Sequence, residues 1–141
     1  MPRFAIDHLN PNQLREAWPV VRMSDAHANC DWWMSEAAEL IERGGGVLAA
    51  RASDGNIHGV ATYAIAKKAH VGRVLSVGTL VTFELCRRAP ARRALYEALQ
   101  LLASAFDCRT IVVPLPLKAH LQHGAKELYR RREFDQPFDA P

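Results

Sequence analysis

Cysteine is scarce in this sequence, and its scarcity limits the kinds of site that the chain can build. Three cysteines are present, Cys30, Cys86 and Cys108. Their number is odd, and they lie far apart along the chain. This spacing offers neither a disulfide framework nor a Cys-x-x-Cys metal motif. We interpret the cysteines as small core residues.

Metal-ligand patterns are missing as well. The six histidines include no His-x-x-x-His pair and no neighbouring cluster of cysteines, which are the spacings typical of zinc sites. The sequence therefore predicts no metal centre.

Long apolar runs are also missing. No stretch approaches the roughly 18 apolar residues of a membrane-spanning helix. The opening Met-Pro-Arg-Phe-Ala-Ile-Asp lacks the charged-then-apolar order of a signal peptide. We expect a cytoplasmic protein with no membrane partner.

The composition is that of an ordinary globular protein. The chain has 141 residues, of which 49% are hydrophobic and 23% charged, and this predicts a single domain over residues 1–141. The net charge of +3 is modest, but arginines are clustered at 87, 88, 92 and 93 and again at 130–132. Guanidinium clusters favour phosphate-bearing ligands, although a solvated helix end is an equally good interpretation of each. No aromatic rings interleave with these clusters, so we expect no nucleic-acid partner.

The first half of the sequence predicts a strand, two helices and a hairpin. A strand over 4–6 precedes a helix with a capping box, in which Asn10 is the cap and Gln13 supplies the return bond. Pro19 should bend or break that helix. A second helix runs from about residue 31 to the glycines at 44–46. Apolar runs at 47–51 and 57–65 flank an Asp-Gly turn, which is typical of a β-hairpin.

The second half continues the alternation of strands and helices. A strand over 73–83 contains Gly78, where a bulge or splay is expected. The next helix opens with Pro90, and its predicted buried stripe is Ala91, Leu95, Leu99 or Ala98, Leu102 and Phe106. A buried strand over 110–113, a helix carrying Tyr129 and a strand over 134–138 complete the chain. The predicted order of elements is β-α-α-β-β-β-α-β-α-β.

Tyr129 is the most informative single residue of the C-terminal part. Leu121, Ala125 and Leu128 share one helical face, and Tyr129 lies beside that face with a titratable phenol. Such a tyrosine can be a proton donor or part of an ordinary amphipathic helix, and the segment by itself leaves both open.

The order of elements and several motifs resemble the GNAT superfamily of acyl-CoA-dependent N-acyltransferases over nearly the whole chain. Residues 87–99 stand where that family has Arg or Gln, two residues, Gly, any residue, Gly or Ala, and then an amphipathic helix. Gly59 stands where the family's third strand commonly begins with apolar, Gly, apolar. The family's N-x-x-A-x-x-L-Y-x-x-x-G-F is similar to five positions here: Gln122, Ala125, Leu128, Tyr129 and Phe134.

The resemblance implies the fold class α/β (α+β), a mixed, mostly antiparallel twisted sheet flanked by helices. In this sheet the fourth and fifth strands splay apart to admit the pantetheine arm of acetyl-CoA, the expected co-substrate. The pyrophosphate would rest on backbone amides at the start of the following helix. The cofactor-binding residues implied are Phe83, Leu85, Arg87, Arg88, Ala89, Pro90, Ala91, Arg92, Arg93, Gln122 and Ala125. Tyr129 would protonate the leaving thiolate, and Glu84 would be the base or else a surface glutamate paired with an arginine.

The chain departs from the family pattern in its phosphate loop. Pro90 and Arg92 occupy the two small positions, so one amide is missing and a long side chain replaces glycine. The arginine side chains offer another way to bind phosphate. Gln122 and Glu133 stand for the usual Asn and Gly, which are milder changes.

The function implied is transfer of an acetyl group from acetyl-CoA to a primary amine of a small molecule or peptide, and the resemblance also implies a tendency to form a homodimer. The alternative is a GNAT-like binding protein with a degraded CoA loop and little or no catalysis. On the substrate side, Trp32, Trp33, Met34, Asp31 and Glu36 could form a partly aromatic, acidic lip suited to a cationic amine. The favoured alternative places Trp33 in the core and the other four residues at its rim.

Overall fold

One six-stranded sheet organises the computed structural model, which describes residues 4–24, 29–84, 87–113 and the backbone of 132–134. The strands are β1 (Ala5–His8), β2 (Gly46–Arg51), β3 (Ile57–Lys68), β4 (Gly72–Thr82), β5 (Thr110–Val113) and β6 (Arg132–Phe134). They lie side by side in chain order. Every neighbouring pair is antiparallel except β4 and β5, which are parallel. The predicted mixed, mostly antiparallel sheet is confirmed.

Helices pack on both faces of this sheet. A 3₁₀ helix (Pro11–Ala17) leads directly into α1 (Trp18–Val21), and the longer helices are α2 (Cys30–Glu42) and α3 (Pro90–Ala105). No helix within the described ranges combines the length and the apolar character needed to cross a bilayer. The predicted helix around Tyr129 and the part of the predicted last strand beyond Phe134 lie outside the described residues.

The start of the 3₁₀ helix confirms the predicted capping box. The side chain of Asn10 accepts a hydrogen bond from the Asn12 amide at 2.9 Å, and the Asn10 amide donates to Gln13 Oε1 at 3.1 Å. Pro19 lies at the beginning of α1, where the 3₁₀ helix changes to an α-helix. Since proline lacks an N–H and fixes φ, it fits the first turn of the new helix and not the interior of one long helix.

The predicted hairpin is confirmed between β2 and β3. Gly55 has a φ of +88°, a conformation that glycine adopts without steric cost. Asp54 accepts a hydrogen bond from the Asn56 amide at 2.9 Å, and this bond lowers the pKa of the Asp54 carboxyl. The turn chemistry of the sequence therefore sets the register of β2 against β3.

The core lies in two layers, one on each face of the sheet. On one face, α3 buries Ala91, Leu95, Leu99 and Ala103 against β2, β3 and β4. On the other face, α2 and the 3₁₀ helix bury Trp33 and Leu14, joined by a 2.8 Å hydrogen bond from Trp33 Nε1 to the Leu14 carbonyl. The core position predicted for Trp33 is confirmed.

One part of the predicted α3 stripe is wrong. Phe106 is 37% exposed because α3 ends at Ala105 and the chain turns away there. Ala103 continues the buried row below Leu99, and Leu102 is only partly buried. The stripe therefore follows a spacing of four residues from Ala91 to Ala103.

The pairing of β4 with its two neighbours is uneven. On the β5 side it covers only Val74 to Ser76, opposite residues 110–112. On the β3 side the register shifts at Thr62, so that Gly78 is the extra residue of a bulge. The Thr79 amide donates to Thr62 Oγ1 at 2.9 Å within this bulge. The bulge expected at Gly78 is confirmed, and it begins where the pairing with β5 has just ended.

Leu95 should dominate the packing of α3, because its side chain is fully buried between the helix and the sheet. We expect Leu95→Ala to lower the free energy of unfolding by about 2 to 5 kcal/mol, the range for a buried leucine that leaves a cavity. The matched control is Leu101→Ala on the same helix, where the side chain is 73% exposed. Chemical denaturation of both variants checks this, and equal losses would contradict the packing described.

Candidate functional site

The candidate site lies where β4 ends and α3 begins. Ala89 directly precedes the helix with φ +47° and ψ +59°, the left-handed conformation. Any residue with a Cβ atom meets a steric cost in this conformation. Residues held in it are concentrated at functional sites. Pro90 follows as the first helical residue, and the Ala89 side chain makes no capping bond. The usual local cap is therefore missing.

A residue from the end of the sheet supplies the missing cap. Glu84 accepts hydrogen bonds from the Ala91 amide at 2.6 Å through Oε1 and from the Arg92 amide at 3.3 Å through Oε2. Both carboxylate oxygens are thus directed at the positive end of the helix dipole, where a negative charge is stabilised.

This contact uses up the donors of the first turn of α3. Pro90 has no N–H, and the amides of Ala91 and Arg92 bind Glu84. The Arg93 amide already donates to the Ala89 carbonyl at 3.0 Å as the first bond of the helix. An anion that approached this helix start would find its backbone donors engaged.

Arginine side chains surround the same point in the sequence. Arg87, Arg88 and Arg93 are exposed, and Arg92 is half-buried. With Glu84, these residues place four positive charges and one negative charge in the span 84–93. The site can therefore attract phosphate groups with guanidinium donors even while the backbone amides are occupied.

The free edge of β4 leads into this charged loop. From Val77 to Thr82, β4 has no pairing with β5 in the described part of the chain. The described part of β5 ends at Val113, so the splay that the family resemblance implies stays a prediction. The edge offers backbone N–H and C=O groups to an extended ligand lying between the strands.

Gly59 allows α3 to approach the sheet closely beside this edge. A Cβ atom at Gly59 would lie 2.9 Å from Thr82 Cγ2 and 3.0 Å from Leu95 Cδ1. A larger residue at this position would require the side chains of Thr82 and Leu95 to shift, so the glycine gives room for α3 to pack closely over the end of the sheet. The carboxylate of Glu84 can then reach the helix.

A row of three aromatic rings borders the site. The ring centroids of Phe4 and His58 are 5.5 Å apart, and those of His58 and Phe83 are 6.2 Å apart. Phe83 is 47% exposed, and its amide donates to the His58 carbonyl at 2.7 Å. The sequence reasoning missed this row because it depends on the register of three strands and not on local spacing.

Two other features lie at the opposite end of the sheet. His8 Nε2 is 2.8 Å from the Tyr63 hydroxyl, and burial raises the pKa of Tyr63. A cavity of about 480 Å³ lies at the β3–β4 turn, lined by cationic side chains that include Lys67, Arg73 and Arg109. Arg73 donates to the Phe106 carbonyl at 2.9 Å, so its charge complements the negative end of α3.

The structure brings together one group of the predicted site residues. Phe83, Glu84 and the described loop and helix residues 87–93 lie at one end of α3. Leu85, Gln122, Ala125 and Tyr129 lie outside the described residues, so their assigned roles stay predictions. The role of Glu84 as a base also stays a prediction, and its observed partners are backbone amides.

On the face where an amine acceptor was expected, Trp32 is 46% exposed while Met34 is partly buried in the core. The aromatic and acidic lip therefore stays a prediction. Within the described ranges, no three His, Cys, Asp or Glu side chains are grouped so as to hold a metal ion.

The strand order, the parallel pairing of β4 with β5 and the placement of α3 are those of the acyl-CoA N-acyltransferase, or GNAT, fold, and solved structures agree. The aminoglycoside N-acetyltransferase AAC(6')-Iy in complex with CoA is similar with a TM-score of 0.73 at 16% identity, covering 95% of this chain and 91% of that one. The ribosomal-protein-alanine N-acetyltransferase from Brucella melitensis biovar Abortus 2308 is similar with a TM-score of 0.67 at 21% identity, covering 86% and 91%. The GNAT family N-acetyltransferase YhbS from Escherichia coli, also in complex with CoA, gives 0.65 at 15% identity, covering 98% and 83%.

These identities are low enough that the likeness shows the fold alone. No protein-family model matches the sequence, and no curated protein matches it either. The chain has the GNAT fold, and its activity has to be argued from its own residues.

The contact between Glu84 and α3 should stabilise the protein. We expect Glu84→Ala to lower the free energy of unfolding by about 1 kcal/mol, the usual cost of losing a helix cap. Glu97→Ala is the matched control, because Glu97 is an exposed glutamate further along α3, and it should change stability by less than about 0.5 kcal/mol. Urea denaturation measures both, and equal stabilities of the two variants would contradict the capping role.

Proposed function

We propose that this protein is an N-acetyltransferase that moves an acetyl group from acetyl-CoA to a primary amine of a small molecule or peptide. The observation that carries the proposal is the continuity between the edge of β4, which has no partner strand from Val77 to Thr82 among the described residues, and the arginine-rich start of α3. An extended pantetheine arm fits the first feature, and a pyrophosphate fits the second.

The chemistry of a direct acyl transfer sets four requirements. The amine nitrogen attacks the thioester carbonyl, and the C–S bond breaks as the new C–N bond forms. Donors must stabilise the oxyanion, an acid must protonate the departing thiolate, and a base must take the proton that the amine loses. Backbone groups of β4 between Val77 and Thr82 that face away from β3 are candidates for the first of these roles, since no partner strand holds them in the described structure.

Tyr129 is the proposed acid, and Glu84 is the proposed base. A phenol with an ordinary pKa near 10 stays protonated at neutral pH, as a proton donor to sulfur must. Glu84 would have to leave the amides of Ala91 and Arg92 before it could accept a proton from an amine. Base catalysis by this residue therefore requires a change in its hydrogen bonds.

A second candidate function is that of a GNAT-like binding protein with little or no catalysis. The specific observation in its favour is that Pro90 and the Glu84 contact leave no free backbone donor in the first turn of α3. Such a protein would use the arginines for another anionic ligand. Acetyl-CoA binding separates the two functions.

Acetyl-CoA should stabilise the folded protein. Held at 100 times its dissociation constant, it should add about 2.7 kcal/mol to the free energy of unfolding, and this appears as a rise in the melting temperature. No shift at millimolar acetyl-CoA would contradict the enzyme proposal.

Arg87 and Arg88 should carry part of that affinity. We expect the double variant Arg87→Ala, Arg88→Ala to weaken acetyl-CoA binding by about tenfold or more, because charge-assisted bonds to phosphate are lost. The control is Lys67→Ala, Lys68→Ala, which removes the same charge at the far end of β3. Calorimetric titration checks both, and equal affinities in the two variants would refute a role for these guanidinium groups.

Tyr129→Phe tests the proposed acid. It should lower turnover at saturating acetyl-CoA by about 10²-fold or more, because the phenol protonates the departing thiolate. The dissociation constant of acetyl-CoA should stay nearly unchanged, because the phenol does not hold the cofactor before the reaction. Steady-state kinetics with a panel of primary amines, alongside calorimetry, provides the measurement. Unchanged turnover would dispose of the role.

A further inference from the structure

We propose that Glu84 is an internal anion that competes with the cofactor's pyrophosphate for the start of α3, and that it thereby sets the affinity of the loop for phosphate-bearing ligands. The inference rests on the proposed function for the identity of the ligand. It assigns to Glu84 a role in cofactor selection, which is separate from base catalysis.

The first reason to infer competition is that the start of α3 has few free backbone donors. Ala91 and Arg92 offer the only first-turn amides of α3 that are free of helical hydrogen bonds in the described structure, since Pro90 has no N–H and the Arg93 amide binds Ala89. Both amides point at one carboxylate, at 2.6 and 3.3 Å. A phosphate cannot accept these two bonds while the carboxylate stays, because two anions would then share one pair of donors.

The second reason is that the capping carboxylate comes from outside the helix. A helix is usually capped by Ser, Thr, Asp or Asn at the residue just before it, and here that residue is Ala89. Glu84 reaches the helix from the end of β4, seven and eight positions before the amides it binds. Its side chain can therefore leave without unwinding the helix, and its departure exposes two donors.

The surrounding charges are the third reason. Arg87 and Arg88, in the loop that joins Glu84 to the helix, are exposed, as is Arg93 in its first turn. They supply the attraction that draws a multiply charged pyrophosphate into the loop, and they offer a displaced carboxylate new partners. A ligand with a single weak anionic group lacks the charge to displace Glu84.

The competition has a consequence for binding strength. The measured affinity of a ligand is its affinity for the open site multiplied by the fraction of molecules in which the site is open. In the wild-type protein that fraction is set by how firmly Glu84 holds Ala91 and Arg92. Weakening this hold should strengthen cofactor binding, the opposite of what the loss of a direct ligand contact would do.

Glu84→Gln is the variant that tests the competition. It keeps the length of the side chain and one amide acceptor, so the helix start stays capped, but it removes the charge that strengthens the bonds. We expect the dissociation constants of both CoA and inorganic pyrophosphate to fall by about fivefold relative to the wild type. Calorimetric titration at one fixed salt concentration measures both ligands.

Glu97→Gln is the matched control, since it removes the same charge from an exposed position on the same helix. Its dissociation constants should equal those of the wild type. If Glu97→Gln and Glu84→Gln tighten binding to the same extent, the effect is one of net charge, and the proposed competition is refuted.

The failure of this inference is distinguishable from the failure of the proposed function. If wild-type protein binds CoA and Glu84→Gln binds it equally or more weakly, the competition is overturned while the enzyme proposal stands. If neither protein binds CoA, the enzyme proposal fails, and inorganic pyrophosphate decides the inference. Tighter pyrophosphate binding in the variant then supports competition, and equal or absent binding overturns it.

Discussion

In the described structure, β4 pairs with β5 beside Val74 to Ser76, and the candidate site lies beyond the point where this pairing ends. The bulge at Gly78 then changes the register of β4 against β3, and such a bulge bends the strand that carries it. From Val77 to Thr82, β4 has no partner strand on its β5 side among the described residues, and this stretch leads to the start of α3. A strand edge suited to an extended ligand and a charged helix start therefore lie next to each other along one short segment of the chain.

The helix start is defined by a balance of charges. Its positive dipole end is suited to an anion, and the chain supplies one of its own in Glu84. Two departures from a typical phosphate loop, Pro90 and the left-handed Ala89, leave the helix without a local cap and allow the carboxylate to take that place. The arginines nearby keep the region cationic overall. The same residues that weaken the resemblance to a CoA loop therefore explain how the helix is stabilised when no ligand is bound.

Features with a local cause could be predicted from the sequence. The capping box at Asn10, the turn at Gly55 and the bulge at Gly78 each follow from the conformations that a few neighbouring residues prefer. The sheet type followed from the family resemblance and is confirmed. The end of α3 was placed one residue too far, because Phe106 continues the helical spacing of apolar residues although the helix has already ended.

Features with a tertiary cause could not be predicted. The bond from Glu84 to α3 joins the end of a strand to a helix start seven and eight residues later, and no local spacing in the sequence predicts it. The ring row from Phe4 to Phe83 depends on the register of the strands β1 to β4. A left-handed alanine was unexpected, since its steric cost is met only by the surrounding structure. The predicted role of Tyr129 depends on a part of the chain outside the described residues.

If the amides of Ala91 and Arg92 form the anion site of this protein and Glu84 holds them until a ligand arrives, all three groups should respond together to CoA. An NMR titration of the ¹³C,¹⁵N-labelled wild-type protein with CoA, in which these two amides and the side-chain carboxyl carbon of Glu84 are followed together, measures this. The account predicts that all three resonances shift with the same binding curve as the carboxylate is replaced by pyrophosphate. Saturable CoA binding that leaves the two amide resonances and the carboxyl resonance unmoved would contradict it.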